Sequence, residues 1–257
     1  MIAVPTYPPD PKRLNKDLRM FASIANSCTA SAALTSSQYD YAAKLGSLKS
    51  VFCNISSGDG SVDESSSWPQ NLNWIVTDRF FTSNKSPLVR SVRSLSPTQC
   101  DIAFLQYTSG STSDPKGVMI TQQNLSDNLQ LIITGLNASD DTVVVSWLPQ
   151  YHDMGLIGSY LGVIFCGGCG YYLSPLAFIR NPSLWVVAMS KYKATHVQAP
   201  NFAYALTARK YLAQERNRML KKDSTVLDLS SVRHMINAGI VTSGEAGEGR
   251  TGCSTVG

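Results

Sequence analysis

The 257-residue sequence is poor in charge and in cysteine, and both shortages exclude classes of protein. Charged residues make up only 16%, and the net charge is +4 from 22 Lys and Arg against 18 Asp and Glu. Nucleic-acid-binding proteins usually carry a basic stripe interleaved with aromatic residues, so no nucleic-acid partner is expected. Six cysteines are too few for a disulfide scaffold of this length. We therefore expect a reduced, cytoplasmic setting.

No stretch of the sequence predicts a membrane span. Residues 1–11 are rich in proline and lack the charged and apolar regions of a secretory signal. Residues 154–179 carry no charge, but six glycines and Pro175 interrupt them. A spanning helix needs about 20 mostly apolar residues without such breaks. We interpret this stretch as a buried helix, a glycine turn and a buried strand.

Apolar residues make up 43% of the sequence, and their spacing alternates between strand and helix patterns. Residues 143–145 form a continuous β-branched run, which is typical of a strand covered on both faces. Alternation of strands and helices predicts an α/β fold with mainly parallel, helix-covered sheets. Helices are predicted over 14–25, 36–45, 121–137 and 201–220. Strands are predicted over 32–34, 74–76, 102–105, 118–120, 143–145, 196–197 and 232–237.

One segment carries the groups that bind a polyphosphate. Residues 107–118 read Tyr-Thr-Ser-Gly-Ser-Thr-Ser-Asp-Pro-Lys-Gly-Val. Hydroxyls can donate to phosphate oxygens, glycines let backbone N–H groups approach, and a lysine brings a cation. These groups belong to Thr108, Ser109, Gly110, Ser111, Thr112, Lys116 and Gly117. The alternative is a Ser/Thr-rich surface turn, but composition alone hardly produces these twelve residues in this order.

The segment is not a Walker A loop. That pattern requires Gly-Lys followed by Ser or Thr at the start of a helix. Here Pro115 precedes Lys116, Gly117 follows it, and residues 118–120 are predicted to continue as a strand. No helix N-terminus is therefore expected to bind the phosphates.

The segment resembles the phosphate loop of the acyl-adenylate-forming (AMP-binding) superfamily, and the sequence is most similar to the fatty acyl-AMP ligases within it. Other stretches support the resemblance, which runs from about residue 2 to 237. One is Trp-Leu-Pro-Gln-Tyr-His-Asp-Met-Gly-Leu-Ile at 147–157, and the others are 4–9, 174–178 and 200–204. Ser113 stands where the superfamily usually has glycine.

The resemblance implies part of a large N-terminal adenylation domain over residues 1–238. Residues 239–257 form a divergent Gly-rich tail without aromatic residues or periodicity, which we expect to be disordered. It implies that a fatty carboxylate attacks ATP, with Mg²⁺ help, to give acyl-AMP and pyrophosphate. The acyl group then passes to the thiol of an acyl carrier protein. Residues 108–112 and Lys116 would hold the phosphates, and His152 and Lys116 would be the catalytic residues. The Gly-rich stretch after His152 would line the acyl tunnel.

Members of the family that this sequence resembles carry further elements C-terminal to this region, and this chain lacks them. They include the Glu that binds Mg²⁺, the ribose-binding Asp and the adenylation Lys. We therefore assign no metal ligand, and we expect the 257-residue chain alone to be nearly inactive and poorly stable. Strand 143–145 is expected to lack part of its covering layer. Two other functions stay open: an acyl-CoA synthetase of the same superfamily, and a non-catalytic binding protein that kept the phosphate loop.

Five histidine and cysteine side chains have structural interpretations to weigh against a functional role. His152 could be a turn histidine hydrogen-bonded to a carbonyl, although its sequence context favours the active-site role. His196 and His234 lie in predicted strands and are interpreted as structural. Cys166 and Cys169 form a lone Cys-x-x-Cys, which we interpret as two packed thiols rather than a redox or metal site.

Overall fold

A computed structural model describes residues 1–10, 14–41, 69, 72–78, 97–108, 115–219 and 226–238. The side chains of residues 14–16 and 217–219 lie outside this description, as does the predicted tail at 239–257. The chain divides into two compact units, Met1–Gln122 and Gln123–Gly257. None of the helices in the described ranges is long and apolar enough to cross a membrane.

The described residues of the first unit include two small sheets and helix α1. Helix α1 spans Leu14–Ser27, and strands β1 (Ala32–Thr35) and β2 (Asn73–Val76) pair in parallel. Strands β3 (Ile102–Thr108) and β4 (Lys116–Thr121) pair antiparallel. The predicted helix at 36–45 is described over 37–41, and its remainder lies outside the described residues.

Helix α1 buries the apolar face that its spacing predicts. Leu18, Phe21 and Ala25 are all buried, and the Phe21 ring stacks on Trp74 of β2 at a centroid distance of 5.8 Å. The hydrophobic effect of burying this face holds the helix against the parallel strand pair.

The second unit is built on a four-stranded parallel sheet with the order β6–β5–β7–β8. The strands are β5 (Val143–Ser146), β6 (Cys169–Tyr172), β7 (His196–Ala199) and β8 (His234–Asn237). The helices are α2 (Gln122–Gly135, which begins at the boundary of the units), α3 (Gly162–Cys166), α4 (Pro175–Arg180), α5 (Ser183–Tyr192) and α6 (Asn201–Met219). A π-helical segment, Met154–Leu161, leads into α3.

The core of the second unit lies between β5, β7 and the helices α4 to α6. Trp185 is 1% exposed, and its indole N–H donates to the carbonyl of Val145 at 2.9 Å. The Trp147 ring stacks on Phe178 at 3.9 Å. Val144 and Val145 are buried, so strand β5 is covered and the expectation that it lacks part of its covering layer is wrong. The α/β fold class with mainly parallel sheets is confirmed.

Three expectations for residues 154–179 need correction. Strand β6 was expected to be buried, but Tyr171 and Tyr172 are exposed because β6 is an edge strand of the sheet. The helix before it is buried on one side only, since Phe165 is exposed. Cys166 is half-buried and Cys169 is exposed, so these thiols are not a buried pair.

A stacked histidine pair joins β7 to β8. The rings of His196 and His234 lie 4.7 Å apart, and His196 Nε2 is 2.9 Å from the carbonyl of Leu136. A carbonyl only accepts, so Nε2 carries the ring proton and Nδ1 faces the Thr195 hydroxyl at 2.8 Å. Burial lowers the pKa of His196 and outweighs the opposing effect of the Leu136 carbonyl.

Acid is expected to destabilise the second unit through His196. Its pKa in the folded state lies below the unfolded value of about 6.5. The stabilisation is therefore fully present above that pH and is lost as the pH falls below it towards the folded-state pKa. The neighbouring charges are Arg233 and Asp141, which form a bidentate ion pair, and His234. Urea unfolding between about pH 7.5 and about pH 5.5 measures this loss.

His196→Asn should reduce that pH dependence, because asparagine does not titrate. If the free energy of unfolding depends on pH equally in the unaltered protein and in His196→Asn, the loss of stability in acid does not come from His196.

Candidate functional site

The β3–β4 hairpin places three of the predicted phosphate-binding residues together. Thr108 pairs with Lys116 across the strands, and Tyr107 pairs with Gly117. Directly paired residues of antiparallel strands have Cα atoms about 4.5–5.5 Å apart. Thr108 and Lys116 are exposed at the end of the hairpin where the loop begins. Ser109, Gly110, Ser111 and Thr112 lie outside the described residues.

Gly117 allows an aromatic ring to lie against the hairpin. A Cβ at this position would be 2.8 Å from a carbon of the Tyr107 ring, and the Tyr107 hydroxyl donates to the Ser27 hydroxyl at 3.0 Å. The ring therefore covers Gly117 and connects the hairpin to the end of α1. This packing gives Gly117 a structural reason to be glycine, and its contact with phosphate stays a prediction.

Strand β4 continues directly from Lys116, as the sequence predicts. No helix begins at the described end of the loop, so a helix dipole does not contribute there. The Thr108 hydroxyl and the Lys116 ammonium group are both exposed at this end of the hairpin.

The second predicted catalytic residue, His152, lies on an exposed turn after β5. Its backbone N–H donates to the carbonyl of Pro149 at 3.1 Å, and its carbonyl accepts from the N–H of Leu156 at 2.8 Å. The ring Nδ1 is 2.6 Å from Oδ1 of Asp153, and both side chains are 62% exposed. The ring of His152 is thus paired with a carboxylate. The alternative interpretation, a turn histidine hydrogen-bonded to a carbonyl, predicts a different partner.

Asp153 has two roles in this turn. Its Oδ1 accepts the backbone N–H of Met154 at 2.7 Å, which caps the π-helical segment, and the same oxygen faces the His152 ring. π-Helical turns occur often at functional sites. The His152 imidazole is thus paired with a carboxylate at the start of the π-helical segment and is open to solvent.

A buried chain of hydrogen bonds fixes the π-helical segment against the sheet, and sequence reasoning did not find it. Gln198 Nε2 donates to the Ser159 hydroxyl, which donates to the Ser146 hydroxyl at 3.0 Å. Ser146 also accepts the N–H of Leu148 at 3.2 Å. Ser146 and Ser159 are 2% and 1% exposed. Breaking such a chain leaves buried polar groups unpaired, so it sets the position of the segment firmly.

An apolar cleft lies beside the π-helical segment within the second unit. Its lining is almost entirely hydrocarbon, with contributions from α2, α3, the π-helical segment and the sheet. The volume of the cleft is about 30 Å³, which is room for about two waters. Lining residues include Ile132, Leu136, Gly158, Gly162, Cys166 and Ile236.

The described residues do not supply a metal cage. No three His, Cys, Asp or Glu side chains come together in the described ranges. A divalent cation such as Mg²⁺ prefers carboxylate and carbonyl oxygens, and no ligand for it is assigned to this part of the chain.

The chain belongs to the AMP-binding enzyme family, which it matches over residues 1–253. It is 35% identical over 237 residues to the medium-chain-fatty-acid–[acyl-carrier-protein] ligase JamA of Moorena producens, covering 92% of this chain and 36% of that protein. It is 36% identical over 228 residues to the medium-chain-fatty-acid–[acyl-carrier-protein] ligase TtuA of Teredinibacter turnerae, covering 82% of this chain and 35% of that protein.

The fold is similar to that of a solved fatty acid AMP ligase from Legionella pneumophila. The TM-score is 0.68 at 34% identity, over 92% of this chain and 35% of that one. The expected resemblance to fatty acyl-AMP ligases is thus confirmed, and so is the expected fold of an adenylate-forming enzyme. The chain spans about a third of the length of these relatives. The boundary at residue 238 and the roles of the site residues stay predictions.

Proposed function

We propose that this chain provides the phosphate-binding hairpin and part of the acyl site of a ligase that converts a fatty carboxylate to acyl-AMP. The observation that carries the proposal is the β3–β4 hairpin, in which Thr108 and Lys116 face each other where the Ser/Thr/Gly-rich loop begins. Both medium-chain relatives, JamA and TtuA, are named as fatty-acid ligases and match most of this chain.

In the proposed reaction, a carboxylate oxygen of the fatty acid attacks the α-phosphorus of ATP. A P–O bond forms, the bond between the α-phosphorus and the bridging oxygen breaks, and its electron pair leaves with pyrophosphate. Lys116 and the hydroxyls of residues 108–112 would stabilise the charge that grows on the leaving pyrophosphate. His152 would lie between the nucleotide and the acyl chain. Mg²⁺ would supply further charge neutralisation, with ligands outside the described residues.

The apolar cleft supports an alkyl substrate. Its hydrocarbon lining would bind methylene groups, each of which gains about 0.8 kcal/mol on leaving water. The cleft has room for only about two waters, so its walls must move apart before it can accept a medium-length alkyl chain.

The acceptor of the acyl group is proposed to be the thiol of an acyl carrier protein, in a cytoplasmic setting. The names of JamA and TtuA support this acceptor. CoA is the alternative acceptor, as in the acyl-CoA synthetases of the same superfamily.

Fatty-acid-dependent exchange of pyrophosphate into ATP tests the proposal. It is measured on the 257-residue chain and on a chimaera in which this chain replaces the matching region of JamA. We expect exchange near background for the chain alone and clear exchange with medium-chain acids for the chimaera. A second assay offers either an acyl carrier protein or CoA as the acyl acceptor. The acceptor that receives the acyl group separates the two ligase alternatives.

A folded chimaera that exchanges only with amino acids, or with no acid, would contradict the proposal. Absence of exchange with any acid would favour a non-catalytic binding protein. Exchange by the 257-residue chain at the rate of the chimaera would contradict its expected inactivity.

A further inference from the structure

The turn that carries His152 makes a backbone contact near each of its ends. At its start, the N–H of Leu148 donates to the Ser146 hydroxyl at 3.2 Å, directly after strand β5. At its end, the π-helical segment lies so close to the turn that a Cβ at Gly155 would be 2.1 Å from the carbonyl oxygen of Pro149. The backbone position of His152 therefore depends on where that segment lies.

Ser159 connects the two ends of this turn. Its buried hydroxyl accepts from the Gln198 amide of β7 and donates to the Ser146 hydroxyl at 3.0 Å. Ser146 is the residue that accepts the N–H of Leu148 at the start of the turn, and Ser159 belongs to the segment at its end. The backbone carbonyl of Ser159 also accepts the hydroxyl of Tyr172 at 2.9 Å. One residue thus ties the π-helical segment to strands β5, β6 and β7.

We infer that Ser159 is a positioning residue for the proposed ligase reaction and that it acts through His152. The inference rests on the proposed function, in which His152 lies between the nucleotide and the acyl chain. Without the Ser159 hydroxyl, the Gln198 amide and the Ser146 hydroxyl each lose a buried partner, so the π-helical segment moves or opens. The turn moves with it, because the two are in contact. A displacement of about 1 Å in a reacting site can lower a rate by about 10².

Ser159→Ala tests the inference, and Ser183→Ala is its matched control. Ser183 is 2% exposed against 1% for Ser159, but its hydroxyl has no hydrogen-bond partner in the part of the chain that the structure describes. Both variants remove one buried hydroxyl, and only Ser159→Ala breaks the chain of hydrogen bonds. Circular dichroism checks folding. If Ser159→Ala does not fold, Tyr172→Phe replaces it, since Tyr172 is exposed and its hydroxyl donates to the Ser159 carbonyl. The results expected for Tyr172→Phe have the same direction.

Amide hydrogen exchange of the 257-residue chain, followed by mass spectrometry of peptides that cover residues 148–157, measures the hold on the turn without any substrate. The N–H of His152 donates to the carbonyl of Pro149, and the N–H of Leu156 donates to the carbonyl of His152. A buried polar group left unpaired costs at least about a fivefold change in an equilibrium. We therefore expect exchange in these peptides to be at least about fivefold faster in Ser159→Ala. Ser183→Ala should match the unaltered chain.

Fatty-acid-dependent pyrophosphate exchange by the JamA chimaera measures the effect on the reaction, in two backgrounds. We expect Ser159→Ala to lower kcat by about tenfold to 10²-fold. KM for ATP should stay unchanged, because the hairpin that carries Lys116 belongs to the first unit and keeps its contacts. In a chimaera that already carries His152→Ala, Ser159→Ala should cause no further loss. A purely structural role of Ser159 would lower exchange by the same factor in both backgrounds.

The outcomes separate this inference from the proposed function. An equal loss in both backgrounds, or unchanged hydrogen exchange over residues 148–157, would contradict the positioning role of Ser159 while leaving the proposed function intact. If His152→Ala exchanges pyrophosphate at the unaltered rate, Ser159 has no catalytic group to act through and the inference is wrong. If the folded, unaltered chimaera shows no exchange with any fatty acid, the proposed function fails and this inference fails with it.

Discussion

Replacing Gly155 by alanine is expected to lower the free energy of unfolding of the second unit by about 3 kcal/mol, the upper end of the usual cost of overpacking. The added Cβ would lie 2.1 Å from the Pro149 carbonyl oxygen and 2.7 Å from its carbon. Both are backbone atoms, so no side chain can rotate away to make room. Either the turn that carries His152 moves or the π-helical segment unwinds.

Urea unfolding measures the change, with Gly135→Ala as the control. Gly135 has open space around a Cβ, and alanine in a helix is typically about 0.5–1 kcal/mol more favourable than glycine. Gly135→Ala should therefore be as stable as the unaltered chain or slightly more stable. If Gly155→Ala unfolds at the same urea concentration as the control, the close approach of residue 155 to Pro149 is wrong.

Replacing Lys116 by alanine is expected to lower fatty-acid-dependent exchange in the chimaera by about 10²–10³, the usual effect of removing one group that stabilises transition-state charge. Lys116 is exposed and faces Thr108 at the end of the hairpin, so the substitution should leave folding unchanged. The loss should appear in kcat as well as in kcat/KM, because the charge on pyrophosphate grows as the bond breaks.

Lys210→Ala is the matched control for Lys116→Ala. Lys210 is also exposed, lies on α6 and has no assigned role. Its removal changes the net charge equally, so a general electrostatic effect would appear in both variants. If the exchange rate of Lys116→Ala lies within a factor of about two of the Lys210→Ala rate, Lys116 does not stabilise the charge on pyrophosphate.

Much of the fold follows from local pattern. The β-branched run at 143–145 predicts the buried strand β5, and apolar spacing predicts α1 and α2 close to their observed bounds. The order of residues around Lys116 predicts that a strand, not a helix, follows the phosphate loop, and β4 is that strand. These elements are determined by residues within a few positions of one another, which is why the sequence suffices for them.

What the sequence could not predict depends on contacts between distant residues. The hydrogen bonds from Gln198 through Ser159 to Ser146 join residues 39 and 13 positions apart. Isolated polar residues in apolar stretches give no signal that they are partners. The exposure of β6 was missed for a similar reason, since an apolar strand looks the same at the edge and at the centre of a sheet.

Tracing an isotope label through a single turnover tests the central claim most directly. The chimaera is given ATP and dodecanoic acid whose carboxylate carries oxygen-18, and the products are analysed by mass spectrometry before and after an acceptor thiol is added. If the carboxylate attacks the α-phosphorus, labelled dodecanoyl-AMP and unlabelled pyrophosphate form first. Transfer of the acyl group to the thiol then leaves one labelled oxygen on AMP. Release of ADP, or AMP without label after the acyl group has been transferred, would contradict the formation of an acyl-adenylate.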